Sequence, residues 1–163
     1  MHLNPVGYNG ITIISGSADK HIKFWQLVVN KKTKLIEISE IKKIYVNEDV
    51  HCVKFSPKGQ YYAVSLLDYS INIYYSDSDK LYLSLYGHKL PALSFDISSD
   101  DYLLVSGSAD KNIKIWGTDF GNCHKSIFAH DNSIMQIRFV VDTHYFFSIS
   151  KDNSIKYWDG DTY

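Results

Sequence analysis

The chain has 163 residues, 45% of them hydrophobic and 21% charged, with a formal net charge of -1. That composition is globular rather than disordered and is large enough to bury a domain-sized core. A near-neutral balance announces no footprint for nucleic acid or for an anionic membrane, and the apolar runs are too short to cross a bilayer as helices. Aromatic residues reach 15%, which favours strands.

In chain order, the opening MHLNPVGYNG lacks the charged and apolar regions of a secretory leader. Residues 15–26, SGSADKHIKFWQ, are a polar turn followed by an alternating run, which predicts a strand ending near Trp25. After it, around VVNKKTK, Lys31, Lys32 and Lys34 read as a solvated turn between two outer strands; the alternative is a phosphate-contacting loop. Residues 64–75, VSLLDYSINIYY, repeat the layout with Tyr74 in place of tryptophan. The runs 81–86 and 91–97 predict two further strands, and 102–107, YLLVSG, is an apolar run between the polar clusters SSDD and SADKN. NIKIW at 112–116 alternates with period two and leads into GTDFG. There Asp119 and Phe120 are candidate partner contacts, with Phe120 either anchoring a partner or folding back. The last run, SIKYWD, ends at Trp158 and Asp159. No stretch carries a capped helical stripe.

These elements repeat. The aromatic ends Trp25, Tyr74, Trp116 and Trp158 are separated by steps of 49, 42 and 42 residues, and an aspartate stands six residues before each: Asp19, Asp68, Asp110 and Asp152. A fixed period of this length marks a stacked unit, and four short strands in about 42 residues is the unit of a β-propeller blade. The copies occupy roughly 1–29, 46–79, 87–120 and 129–163. The expected fold is therefore all-β, an incomplete propeller of three to four four-stranded blades. The first blade is expected to lack its innermost strand and the last its outer one. Open blade faces should then expose Ile13, Ile22, Ile149 and Tyr157.

The repeat resembles the WD40 repeat. Gly87-His88 and Ala129-His130 match its opening, Asp110 and Asp152 its turn aspartate, and Trp116 and Trp158 its tryptophan. Copy two departs from it, with Val46 and Val64 at the histidine and serine positions and Tyr74 for tryptophan, so apolar packing must replace polar contacts there. Copy one, with Ser15, Asp19 and Trp25, would need its histidine before Met1. Beyond the repeat, SLYGHKLP (84–91) and IWGTDFGNCHKS (115–126) resemble one family, the WD-repeat subunits of the small-subunit processome of the U3 small nucleolar ribonucleoprotein. The resemblance implies a nuclear, nucleolar scaffold for 18S ribosomal RNA maturation. It implies protein partners in a ribonucleoprotein assembly, indirect or weak RNA contact at most, and neither membrane, cofactor nor small-molecule substrate.

Two copies also present Ser, His and Asp together: Ser106, His88 and Asp110, and Ser148, His130 and Asp152. A hydrolase could use such sets. The stronger reading is structural. Trp116 can only donate, serine and histidine can do both, and ionised aspartate only accepts, so the four can form one chain of hydrogen bonds. Ser108 stands close to Ser106 and leaves the participating serine open. No strained nucleophile turn of the G-x-S-x-G type is present. Exposed histidines in a cleft would favour the hydrolase, and buried ones the network. Cys52 and Cys123 are too few for a disulfide framework, and their pairing with His51 and His124 lacks metal-ligand spacing, so each is expected to be a small buried thiol.

Overall fold

The computed structural model describes residues 2–3 and 11–162. All its regular elements are strands, in four antiparallel sheets. The first holds β1 (His2–Leu3), β2 (Ile11–Gly16), β3 (His21–Val29) and β4 (Ile36–Tyr45). The second holds β5 (Val50–Phe55), β6 (Tyr61–Leu66), β7 (Ile71–Tyr75) and β8 (Leu81–Leu85). The third holds β9 (Ala92–Ile97), β10 (Leu103–Ser108), β11 (Asn112–Gly117) and β12 (Cys123–Phe128). The fourth holds β13 (Ile134–Phe139), β14 (Tyr145–Ser150) and β15 (Ile155–Asp159). Every sheet is an up-and-down meander, as short turns between antiparallel strands require.

Each inter-strand turn that carries an aspartate is built alike. The residue after it is left-handed in all four copies: Lys20 at φ 65°, Tyr69 at 74°, Lys111 at 72° and Asn153 at 64°. The aspartate side chain accepts the N–H two residues on, as in Asp110 Oδ1 with Asn112 at 2.9 Å and Asp152 Oδ1 with Ser154 at 2.9 Å. That local bond fixes the tight turn and hence the register of the two middle strands.

The apolar residues form three separate cores, each between consecutive sheets. Ile14, Ile22 and Phe24 of the first sheet meet Val53, Phe55, Tyr62 and Val64 of the second. Ala63, Ile71 and Ile73 meet Phe95, Leu104 and Trp116. Val105, Ile113 and Ile115 meet Ile134, Ile137 and Phe146. Two glycines set the spacing. A Cβ at Gly107 would lie 2.5 Å from Ile134 Cγ2, and one at Gly16 would overlap Val50 Cγ1. In the second sheet the residue at the corresponding position is Ser65, and Ala92 of the third sheet stands one period before Ile134; both are fully buried.

Three expectations are corrected. The first sheet has an inner strand, because His2 and Leu3 pair with Ile14 and Ile13. Copy one's remaining opening positions, 1 and 4–10, lie outside the described residues. Ile13 and Ile22 are buried, since Ile22 points into the seam with the second sheet; only Ile149 and Tyr157 are exposed. Cys123 is exposed, because it lies on the outer strand β12, and Cys52 is half-buried. The fourth sheet has three strands, as expected.

Candidate functional site

The third sheet carries a complete polar chain. Trp116 Nε1 donates to Ser106 Oγ at 2.9 Å, His88 Nε2 lies 2.8 Å from the same oxygen, and His88 Nδ1 lies 2.9 Å from Asp110 Oδ2. The proton positions follow from the partners. A carboxylate can only accept, so Nδ1 carries the imidazole proton and Nε2 accepts from the Ser106 hydroxyl. Lys89 N–H adds a second donor to Asp110 Oδ2 at 2.9 Å. Burial alone would raise the Asp110 carboxyl; the hydrogen bonds from His88 and from the Lys89 and Asn112 N–H groups outweigh it and hold it well below the ordinary carboxylate range. The participating serine is Ser106. Ser108 instead bonds the Leu90 carbonyl at 2.8 Å and receives the Asp110 N–H at 3.0 Å.

The fourth sheet repeats this. Trp158 Nε1 reaches Ser148 Oγ at 2.8 Å, His130 Nε2 reaches it at 2.7 Å, and His130 Nδ1 lies 2.9 Å from Asp152 Oδ2. The Ser154 hydroxyl also donates to Asp152 at 2.6 Å, and this bond leads the set that holds the Asp152 carboxyl below its usual range. In the first sheet the structure unites only Trp25 and Ser15, at 2.8 Å; Asp19 caps its own turn through the His21 N–H at 3.1 Å. In the second, buried Val46 and Val64 replace the chain, and Asn72 bridges Ser84 Oγ at 2.7 Å and the Tyr74 hydroxyl at 3.4 Å.

The His88 and His130 side chains are 1% and 0% exposed, and Ser106 and Ser148 are fully buried. Each serine oxygen already takes an indole N–H and presents no surface to solvent, so neither opens onto a cleft in this arrangement. The arrangement ties a loop, a turn and two strands of one sheet together without leaving a polar atom unpaired.

The surface candidates lie at the other end of the sheets. Lys31, Lys32 and Lys34 sit in the β3–β4 turn, where Asn30 Oδ1 accepts the Lys32 N–H at 3.0 Å; all three are exposed. Asp119 and Phe120 occupy the β11–β12 turn. Tyr82 of β8 donates to the Asp119 carbonyl at 2.9 Å, and a Cβ at Gly121, where φ is +71°, would lie 3.0 Å from Leu85. The turn is thus seated on the neighbouring sheet, while Phe120 is 84% exposed and does not fold back. At this same end a cleft of about 740 Å³ opens between the first two sheets, lined by Phe24, Ile41, Phe55, Tyr61 and Tyr75.

Sequence reasoning missed one charged row. Lys54 Nζ lies 2.7 Å from Asp96 Oδ1, with both side chains largely buried, and Arg138 holds the next equivalent position. Burial pulls the Lys54 ammonium down and Asp96 opposes it. The signal was available, since the three residues share the 42-residue period of the aspartates.

Four-stranded meanders packed face to face, each locked by a Trp–Ser–His–Asp chain where the sequence supplies one, define a WD40 β-propeller protein. Comparison with known proteins makes this specific. Residues 4–163 match the WDR3 second beta-propeller domain, and the chain belongs to that family. It is 48% identical over 97 residues to "U3 small nucleolar RNA-associated protein 12" of Saccharomyces cerevisiae, covering 54% of this chain and 10% of that protein. It is 48% identical over 82 residues to human "WD repeat-containing protein 3", and 52% identical over 86 residues to the Dictyostelium discoideum homolog. Those matches cover 48% and 50% of this chain and 9% of each relative. The chain spans about a tenth of the length of the curated relatives it matches.

Proposed function

We propose that the chain is a non-catalytic interaction scaffold within a U3 small nucleolar ribonucleoprotein, the small-subunit processome, and serves 18S ribosomal RNA processing in the nucleolus. The supporting observation is its 48% identity to a protein named for association with U3 small nucleolar RNA. The sealed serine–histidine sets agree with a scaffold, because they stabilise a rigid surface and offer no reachable nucleophile. The partners on this reading are protein subunits, with RNA contacted indirectly or weakly. The approximate repeat copies act together as one WD40 region.

Affinity purification of the tagged chain from nuclear extract tests this. Co-enrichment of U3 small nucleolar RNA with its proteins, and nucleolar fluorescence of a tagged copy, are expected. Enrichment of an unrelated complex without U3 RNA would place the scaffold elsewhere. Ester hydrolysis abolished by Ser106→Ala would overturn the non-catalytic reading.

A further inference from the structure

The hairpin of β3 and β4 differs from its two counterparts. All three carry a bulge at the same point, between Phe24 and Trp25, Ile73 and Tyr74, and Ile115 and Trp116. Just past it the paired strands of the β7–β8 and β11–β12 hairpins end, at Tyr74 with Leu81 and Trp116 with Cys123. β3 and β4 instead continue through Gln26 with Ser39, Leu27 with Ile38, Val28 with Glu37 and Val29 with Ile36. The result is a ribbon that outruns the other hairpins. The second sheet has the ordinary length and packs on the Ile22 and Phe24 side, yet Val28 on that side stays 43% exposed. A neighbouring sheet of ordinary length therefore leaves the ribbon uncovered.

Three properties meet on it. The first is a bare edge. β4 is the outer strand of its sheet, so one of its edges pairs with no strand among the described residues. Such edges are ordinarily blunted by shortness, lysine or proline. β8 has five residues, and β12 carries Lys125 in its middle. β4 has ten, and residues 36–40, IEISE, before the bulge, hold neither lysine nor proline. The second is an aliphatic side. Val29, Ile36 and Ile38 share one side of the ribbon with half-buried Leu27 and are at least 61% exposed. The third is charge. Asn30 orders the turn, donating its N–H to the Leu35 carbonyl at 2.9 Å and accepting the Thr33 N–H on Oδ1 at 3.3 Å. The acids of β4 are already engaged: Glu37 accepts from Asn30 Nδ2 at 2.8 Å, and Glu40 pairs with Lys23 at 3.0 Å. Lys31, Lys32 and Lys34 make no ion pair among the described residues and leave the tip cationic.

We infer that the β3–β4 ribbon is a docking site for an extended segment of a protein partner, which adds to β4 as a further strand. The segment places aliphatic side chains beside Val29, Ile36 and Ile38, and carboxylates beside Lys31, Lys32 and Lys34. A second copy of this chain does not meet the description. Pairing antiparallel through 36–40, it lays its own lysine turn toward Lys42 and Lys43. Nor does the ribbon suit single-stranded RNA, since residues 27–38 offer no aromatic ring for a base to stack on. The inference does not depend on which assembly the chain serves.

Fluorescence anisotropy and hydrogen exchange of the 163-residue chain test it, with a synthetic peptide of alternating valine and threonine that ends in aspartates. The peptide is expected to bind and to slow amide exchange over 36–40. Two versions N-methylated at alternate residues separate strand addition from plain contact. The version methylated on the pairing edge should bind at least about tenfold more weakly than the other. Lys31→Glu with Lys32→Glu and Lys34→Glu, all at exposed positions, should shift preference at least about tenfold toward a lysine-ended peptide. The inference is overturned if the acidic peptide leaves 36–40 unprotected, if the two methylated versions bind alike, or if the lysine reversal leaves the preference unchanged. An oligouridine that protects 36–40 better than the peptide also overturns it, as does a dimer of the chain that shields 36–40 by itself.

Discussion

Replacing Asp110 with asparagine isolates what the polar chain contributes. Both carboxylate oxygens of Asp110 accept from donors only: Oδ2 from His88 Nδ1–H and Lys89 N–H, and Oδ1 from the Asn112 backbone and side-chain N–H groups. An amide of the same shape must point its NH2 at one of these pairs. His88 could relieve one clash by moving its proton to Nε2, but a backbone N–H would still face an N–H. Losing a charge-assisted bond and stranding a donor should cost about 2–3 kcal/mol. Trp116→Phe, which removes the only donor at the far end of the chain, should cost a similar amount through Ser106 and lost packing in the second core. Because the two share partners, the double variant should lose less than the sum, by at least about 0.5 kcal/mol. Urea melts of the four proteins at pH 7 measure this. A sign check adds a second arm. The folded carboxyl lies below its unfolded value of about 3.9, so its contribution is full above pH ~4 and is lost as pH falls through the folded value. The variant should therefore lose less stability on acidification than the parent. A variant within about 0.5 kcal/mol of the parent, or strictly additive losses, would refute the network argument.

Gly107→Ala should cost about 1–3 kcal/mol by pressing on Ile134, and Ile134→Ala about 2–5 kcal/mol by leaving a void. Made together they should cost clearly less than the sum, because Ala can occupy the space that Ile vacates; additive melts would rule out the contact. Ser65→Ala should stabilise by about 1 kcal/mol, since its buried hydroxyl finds no partner among the described residues; a loss in thermal melts would reveal a hidden bond. His144 reaches Asp161 at 2.6 Å and Asp100 at 3.0 Å, and although burial pulls its pKa down, these bonds raise it overall. Its contribution is therefore full below pH ~6.5 and fades as pH rises through the raised value. Proton NMR titration of the imidazole should show that direction, and His144→Asn should flatten the pH dependence of melting there.

The repeat made much of this legible. Aspartates and aromatic residues at a common spacing located the turns and the third strands of the sheets, and donor–acceptor chemistry alone ordered Trp116, Ser106, His88 and Asp110. What stayed hidden required knowing which neighbour a face meets. Period-two alternation gives Ile22 one side of β3, but it does not say that this side lies against the second sheet while Tyr157 stays exposed. Cys123 looked like a core thiol because nothing local marks β12 as an outer strand. The pairing of Gly16 with Val50 links different strands of different copies, so no single element carries the signal. β1 is two residues long, below any periodic pattern.

The division of the apolar interior into three cores has a kinetic consequence. No core spans more than two consecutive sheets, so among the described residues each sheet is held only by its immediate neighbours. Such an array behaves like a short line of coupled switches rather than one switch. Among the described residues each of the two middle sheets packs on both of its faces, so either one can lose one seam and keep the other. A lesion in the seam between the first two sheets would loosen those strands on its own timescale, and the Trp158 indole, packed two seams further along, would report the event only after the intervening seam had parted.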